Sequence, residues 1–306
     1  MSDVQLVFDA VSKWYGQVSA LTDVTLRCGP GVTGLVGRNG AGKSTLIKLA
    51  AGLLRPSTGT VLLGDAPPTR RAARALLGYC PDVDRFYEEM SGRAFVAWML
   101  RLDGLSARAA RERAGEVLDQ LGLGAAMHRR IAGYSKGMRQ RVKLAQALGK
   151  RPRVLLLDEP LTGLDPVARH QVTDVVRQVG REGACVLVSS HVLHELENLA
   201  DAGIALVHQG RLLAHGGVAE LRAQLSERPH RLRLRTTRPR ALAARLVELD
   251  SVARVAIGAR DVEVETRAVA GAFADLTRLG ASGERLIDEL LPLDDDLEAV
   301  FGYLVS

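Results

Sequence analysis

The apolar segment Val32–Val36 runs directly into Gly37-Arg38-Asn39-Gly40-Ala41-Gly42-Lys43-Ser44-Thr45, and this junction leaves the chain few folds to adopt. Its glycines let the backbone curl tightly, with N–H groups turned inward. The following Ser44–Leu53 stretch has helical character, so the curl ends at a helix N-terminus, where peptide dipoles already favour an anion. A strand, a glycine loop and a helix in that order form a phosphate-binding loop. Lys43 is then placed to reach the β- and γ-phosphates of a nucleotide, and the Ser44 hydroxyl to serve Mg²⁺. Such a unit belongs in a sheet with helices packed on its faces.

The surrounding pattern agrees. Strands are expected at Val4–Phe8, Val32–Val36, Val154–Leu157, Ala184–Val188 and Gly203–Val207. Helices lie between them, such as Val167–Val179 after the start signal Asp165-Pro166. This alternation predicts an α/β domain over residues 1–225 with a mostly parallel sheet. From Ser91 to Gly133 the strand signals stop. Phe95, Trp98, Met99 and Leu102 recur at helical spacing, as do Ala114, Val117, Leu118 and Leu121, which predicts a helical subdomain over about 91–135. The aromatic and Met stripe reads as core, not as a ligand site.

Val154–Leu157 ends in Asp158-Glu159-Pro160. Ligands of parallel sheets bind at the carboxyl ends of the strands, so both acids are expected beside the phosphate loop. Asp158 would serve Mg²⁺, and Glu159 would polarise an attacking water as general base.

With these motifs in this order, the chain resembles the ABC ATPases across most of residues 1–225. Tyr134-Ser135-Lys136-Gly137-Met138 resembles the family's signature sequence, in the variant form of the ABC-2 type exporter class. The resemblance implies that Ser135 and Gly137 close over the γ-phosphate held by a second subunit. It implies that Tyr15, in Trp14-Tyr15-Gly16, stacks on adenine and that His191, after Ser189-Ser190, contacts the γ-phosphate. Gly163-Leu164-Asp165 matches the loop that crosses to the partner. The nucleotide-binding set so implied is Tyr15, Gly37, Asn39, Gly40, Ala41, Gly42, Lys43, Ser44, Thr45, Ser135, Gly137 and Asp165. Lys43, Glu159 and His191 are the catalytic set, and Ser44, Asp158 and Asp82 are the metal set. Asp82 follows Gly78-Tyr79-Cys80-Pro81, where the family usually carries glutamine.

A boundary is expected near Ser226-Glu227-Arg228-Pro229-His230. Beyond it, strand, helix, strand, strand, helix and a short apolar stretch near Leu286 suggest a small α+β ferredoxin-like domain over 226–306. A last helix is expected at Leu297–Leu304. Arg231, Arg233 and Arg235 alternate with leucines, while Asp261, Glu263 and Glu265 alternate with valines. Pairing of those two strands would set opposite charges side by side.

No apolar run approaches the roughly 18 residues of a membrane span, and Met1-Ser2-Asp3-Val4 lacks an apolar leader. A cytoplasmic location is expected, peripheral on the inner face of the membrane. Cys28, Cys80 and Cys185 lack metal spacing and read as core thiols. The net charge of +6 rests on scattered arginines and reads as a solvated surface; no nucleic acid is expected. The resemblance implies an ATPase using ATP and Mg²⁺, acting as a homodimer or paired with a related ATPase, and driving a separate multi-span membrane permease. The alternatives are a soluble ABC ATPase acting on ribosomes or DNA, or a membrane-associated signalling ATPase.

Overall fold

The strand before the glycine loop, β3 (Gly31–Val36), lies inside a six-stranded sheet. The computed structural model describes residues 4–217, 221, 230–281 and 286–292. The sheet runs in the order β5 (Leu77–Cys80), β6 (Val154–Leu157), β7 (Cys185–Ser190), β3, β8 (Gly203–His208) and β9 (Arg211–Gly216). All neighbours are parallel except β8 and β9. Helices cover both faces of such a sheet, so its central strands read as unbroken apolar runs. In β6 and β7 every residue is buried.

One expectation fails here. Val4–Phe8 does not join the parallel sheet. The strand is β1 (Leu6–Tyr15), and it pairs antiparallel with β2 (Val18–Cys28) and β4 (Thr58–Leu63) in a separate three-stranded sheet. The reason is the connection. Gly16, at φ 60°, turns β1 straight back into β2, whereas parallel neighbours need a crossover of a dozen or more residues. Burial in β2 then alternates, with Val24, Leu26 and Cys28 inward. Phe8, Leu26, Leu46, Ile47, Leu156 and Leu187 share one core that spans both sheets and α1 (Lys43–Ala50).

Between Ser91 and Gly133 lie α3 (Gly92–Leu102) and α4 (Ala107–Gln120), and α5 (Lys136–Leu148) follows. Ser91, Ser106 and Ser135 each cap the helix they precede by accepting a backbone N–H. Phe95, Ala114, Val117, Leu118 and Leu121 are buried, while Leu102 is exposed. The shorter helices α2 (Arg71–Ala75) and α7 (Leu193–Glu197), with α6 (Pro166–Arg181), complete this part of the chain.

The chain divides into compact units at 217/218, just after β9 ends; the boundary expected at 225/226 lies outside the described residues. The second unit has its own four-stranded antiparallel sheet. The order is β11 (Arg254–Ile257), β12 (Asp261–Thr266), β10 (His230–Arg235) and β13 (Glu289–Pro292). Leu232, Leu234, Val262 and Val264 pack against Leu242, Leu246 and Leu276 from the helices Pro239–Val247 and Val269–Ala281. Along the other face Arg231 sits opposite Glu265, Arg233 opposite Glu263 and Arg235 opposite Asp261. Each such cross-strand pair contributes roughly 0.2–1 kcal/mol. The helix expected at Leu297–Leu304 lies outside the described residues.

Phe8 is fully buried where the antiparallel sheet meets the core. Phe8→Ala is expected to cost about 3–5 kcal/mol. Urea unfolding should show it as a lower midpoint with an unchanged slope.

Candidate active site

The glycine loop takes backbone conformations that a side chain would oppose. Gly42 has φ 109° and caps α1. A Cβ there would lie 2.7 Å from Leu21 Cδ2 and 2.9 Å from the Ala20 carbonyl oxygen. At Gly37 the obstacle is Val207, whose carbonyl oxygen would be 2.3 Å away. Close approach of β2 and β8 thus demands glycine at both ends of the loop. No side chain caps the first turn of α1, so its N–H groups remain available to an anion.

Lys43 is buried and donates to the Gly37 carbonyl at 2.6 Å. Its Nζ lies 3.4 Å from Glu159 Oε1. Next to it, Ser44 Oγ donates to Asp158 Oδ1 at 3.2 Å, and Ser189 Oγ donates to the same oxygen at 2.8 Å. Asp158 is 1% exposed. Burial raises its pKa above the usual carboxylate value, and the two serine hydrogen bonds oppose the rise. Burial likewise pushes the thiols of Cys28 and Cys80 up to about 12 and that of Cys185 to about 11, which makes them inert core groups.

Glu159 carries a positive φ of 51°, a costly conformation for a residue with a side chain. Its surroundings hold it there. The backbone N–H donates to Ser189 Oγ at 3.0 Å, and the carbonyl accepts from Gln140 Nε2 at 3.3 Å. The carboxylate meets His191 Nδ1 at 2.8 Å and Thr162 Oγ1 at 3.4 Å. The strain aims the carboxylate into the cleft beside the Lys43 ammonium.

The cleft encloses about 340 Å³ and is lined by Asn39, Gly40, Ala41, Gly42, Lys43, Ser44, Thr45, Asp82, Glu159 and His191, together with Ala20, Arg38 and Thr162. Asp158 and Gly37 reach it through their bonds to Ser44 and Lys43. Tyr15, Ser135, Gly137 and Asp165 are not among its lining residues. Tyr15 is half-exposed at the end of β1, with Lys13 Nζ 5.5 Å from its ring centre. Gly137 packs against the carbonyl of Gly163, which a Cβ would approach to 3.1 Å. Asp165 caps α6 through Ala168 N–H at 2.9 Å.

Sequence reasoning passed over Thr162, Ser189, Gln140 and Lys143. Ser189 was legible as the polar end of an apolar strand. Gln140 and Lys143 sit in an amphipathic helix and gave no signal of their contacts.

Among the described residues no group of three or more His, Cys, Asp or Glu side chains could hold a metal by itself. The Ser44–Asp158 pair of hard oxygens does fit Mg²⁺, an ion that keeps few protein ligands and shares its coordination with phosphates.

A protein-family model described as "ABC transporter" matches residues 21–162. The uncharacterized ABC transporter ATP-binding protein YxlF of Bacillus subtilis is 40% identical over 221 residues, covering 72% of this chain and 73% of that protein. The daunorubicin/doxorubicin resistance ATP-binding protein DrrA of Streptomyces peucetius is 40% identical over 244 residues, 78% of this chain and 73% of that protein. A solved ATP-binding subunit of an ABC transporter superposes with a TM-score of 0.66 at 30% identity, over 72% of this chain and 92% of that one.

The raised pKa of Asp158 has a thermodynamic consequence. The folded state holds the carboxyl proton more tightly than the unfolded state, so the group favours folding at low pH. That contribution is lost as pH rises through the folded pKa. Asp158→Asn, which keeps an oxygen acceptor without the charge, is expected to melt higher than the wild type at neutral pH in metal-free buffer. The gap should close as pH falls through the raised pKa; thermal melts from about pH 3 to about pH 7, spanning the carboxylate range, check it.

Proposed function

The chain belongs to the ABC transporter family as an ATP-binding protein, and on that premise we propose that it hydrolyses ATP to drive a separate membrane-spanning permease, as an exporter. The observation that carries the reading is the Glu159 carboxylate, strained into the cleft between Lys43 and His191. There it can take a proton from a water attacking the γ-phosphate. His191 Nδ1, bonded to that carboxylate, orients it, and Lys43 stabilises negative charge on the phosphates. The N–H groups of the Gly37–Gly42 loop and of the first turn of α1 cradle the phosphate chain. When bound at Ser44 and Asp158, with Asp82 beside them, Mg²⁺ supplies neutralising charge to the β- and γ-phosphates.

Tyr15, exposed at the hairpin end, is suited to stacking on adenine. Ser135 and Gly137 stand outside this chain's own cleft, which supports their serving the nucleotide of a second copy in a homodimer or of a related ATPase. Among the described residues no helix is long and apolar enough to cross a membrane. Attachment would therefore come through the permease, on the inner face of the cell membrane. Relatives named for drug resistance favour export, and this leaves ribosomes or DNA as targets without support. The β-α-β-β-α-β order of the second unit and its antiparallel strand order support a ferredoxin-like domain.

Glu159→Gln keeps the shape of the base and removes its basicity. Its hydrolysis rate should fall about 10²- to 10⁴-fold while ATP binding persists and ATP holds two copies together in size-exclusion chromatography. Turnover within about threefold of wild type would remove Glu159 from the role of general base. Detergent extraction of the native complex provides the second check. A co-purifying multi-span protein is the expected result; ribosomes or DNA in its place would overturn the transport reading.

A further inference from the structure

Lys143 is a charged residue in a position that a helix facing a core gives to apolar ones. It lies between the buried Val142 and Leu144 on α5, with its own side chain 4% exposed. Its Nζ donates to the Asp82 carbonyl at 2.8 Å and pairs with Asp84 Oδ1 at 2.8 Å. An ammonium taken out of water is destabilising unless acceptors replace its hydration, so lysines are seldom buried without a partner. Here both acceptors come from one loop, and that loop carries the residue that departs from the usual glutamine.

The neighbours on α5 act in the same way. Residues three and four apart share a helix face, and Arg139, Gln140 and Lys143 have that spacing. Arg139 donates to both carboxylate oxygens of Glu88, at 2.6 and 2.8 Å. Gln140 Nε2 donates to the carbonyls of Glu159 and Pro160, at 3.3 and 3.0 Å. One face of one helix therefore grips the Asp82 loop on one side and the Glu159 backbone on the other. The N-terminus of the same helix carries Ser135. Lys143 lies eight residues further on, about 12 Å along the axis at ~1.5 Å per residue.

We propose that Lys143 is a positioning residue for ATP hydrolysis: by holding the Asp82 carbonyl and the Asp84 carboxylate it fixes where the Asp82 side chain sits at the phosphate cleft. This inference rests on the reading of the cleft as an ATP site.

The test uses the purified full chain, with steady-state ATPase measured against ATP and against Mg²⁺. Lys143→Met is expected to lower kcat about tenfold and raise the Mg²⁺ concentration for half-maximal rate several-fold, with the ATP KM shifted less than about twofold. Asp84→Asn should move the Mg²⁺ midpoint in the same direction. The double variant should be no worse than Lys143→Met, because both changes break one contact. A variant that merely lost stability would lower kcat through the active fraction and leave the Mg²⁺ midpoint in place. An unmoved midpoint in folded Lys143→Met, or a double variant that multiplies the two losses, overturns the proposal. Should Lys143→Met fail to fold, Asp84→Asn carries the decision, since Asp84 is partly exposed at 39%. Lys43→Ala separates the two levels. If it retains wild-type turnover, the ATP-site reading falls; if it is inactive while Lys143→Met behaves as wild type, only the positioning role falls.

Discussion

Two hydroxyls on one carboxylate oxygen hold the centre of the cassette. Ser44 and Ser189 both donate to Asp158 Oδ1, and this junction joins the helix after β3 to the ends of β6 and β7. A carboxylate with 1% exposure would be strongly destabilising without such donors. The same serine that serves Asp158 also receives the Glu159 N–H, so the donor that stabilises the buried acid helps fix the strained residue beside it. Stability and function pull against each other at this point, since the charge that disfavours folding is the charge suited to a cation.

That junction explains why the site is preorganised. Glu159 is a non-glycine residue at positive φ, and such strain persists only where the surroundings over-determine it. Ser189 and Gln140 fasten its two backbone polar groups, while His191, Lys43 and Thr162 bracket its carboxylate. The carboxylate is therefore held in one orientation, and in the role proposed for Glu159 a group so fixed needs little reorganisation, which is where a fixed polar site gains over water.

The second unit follows a different logic. Its sheet buries leucine and valine on one face and lays arginines against acids on the other. Exposed pairs of this kind contribute little individually, but a register slip of one residue would turn every arginine into the leucine core. The ladder's main effect is to specify register.

The glycine loop and the placing of Asp158 and Glu159 at the end of β6 were legible in the sequence because each sits at the carboxyl end of a strand, whereas His191 was reached through the family resemblance. Short-range spacing fixes the backbone path there. The alternation of Arg231–Arg235 against Asp261–Glu265 was legible for a similar reason, because charge on a two-residue period predicts its partner. What the sequence could not decide was the separate antiparallel sheet, in which β1 pairs with both β2 and β4 through irregular registers. The turn at Gly16 is local, but the pairing of β1 with β4 joins segments far apart in sequence and depends on the tertiary fold. Nor could it decide that Lys143 is buried. A lysine on an amphipathic helix predicts a solvated side chain, and only the folded packing of α5 on β5 brings it to Asp82 and Asp84 and lets two acceptors replace its water.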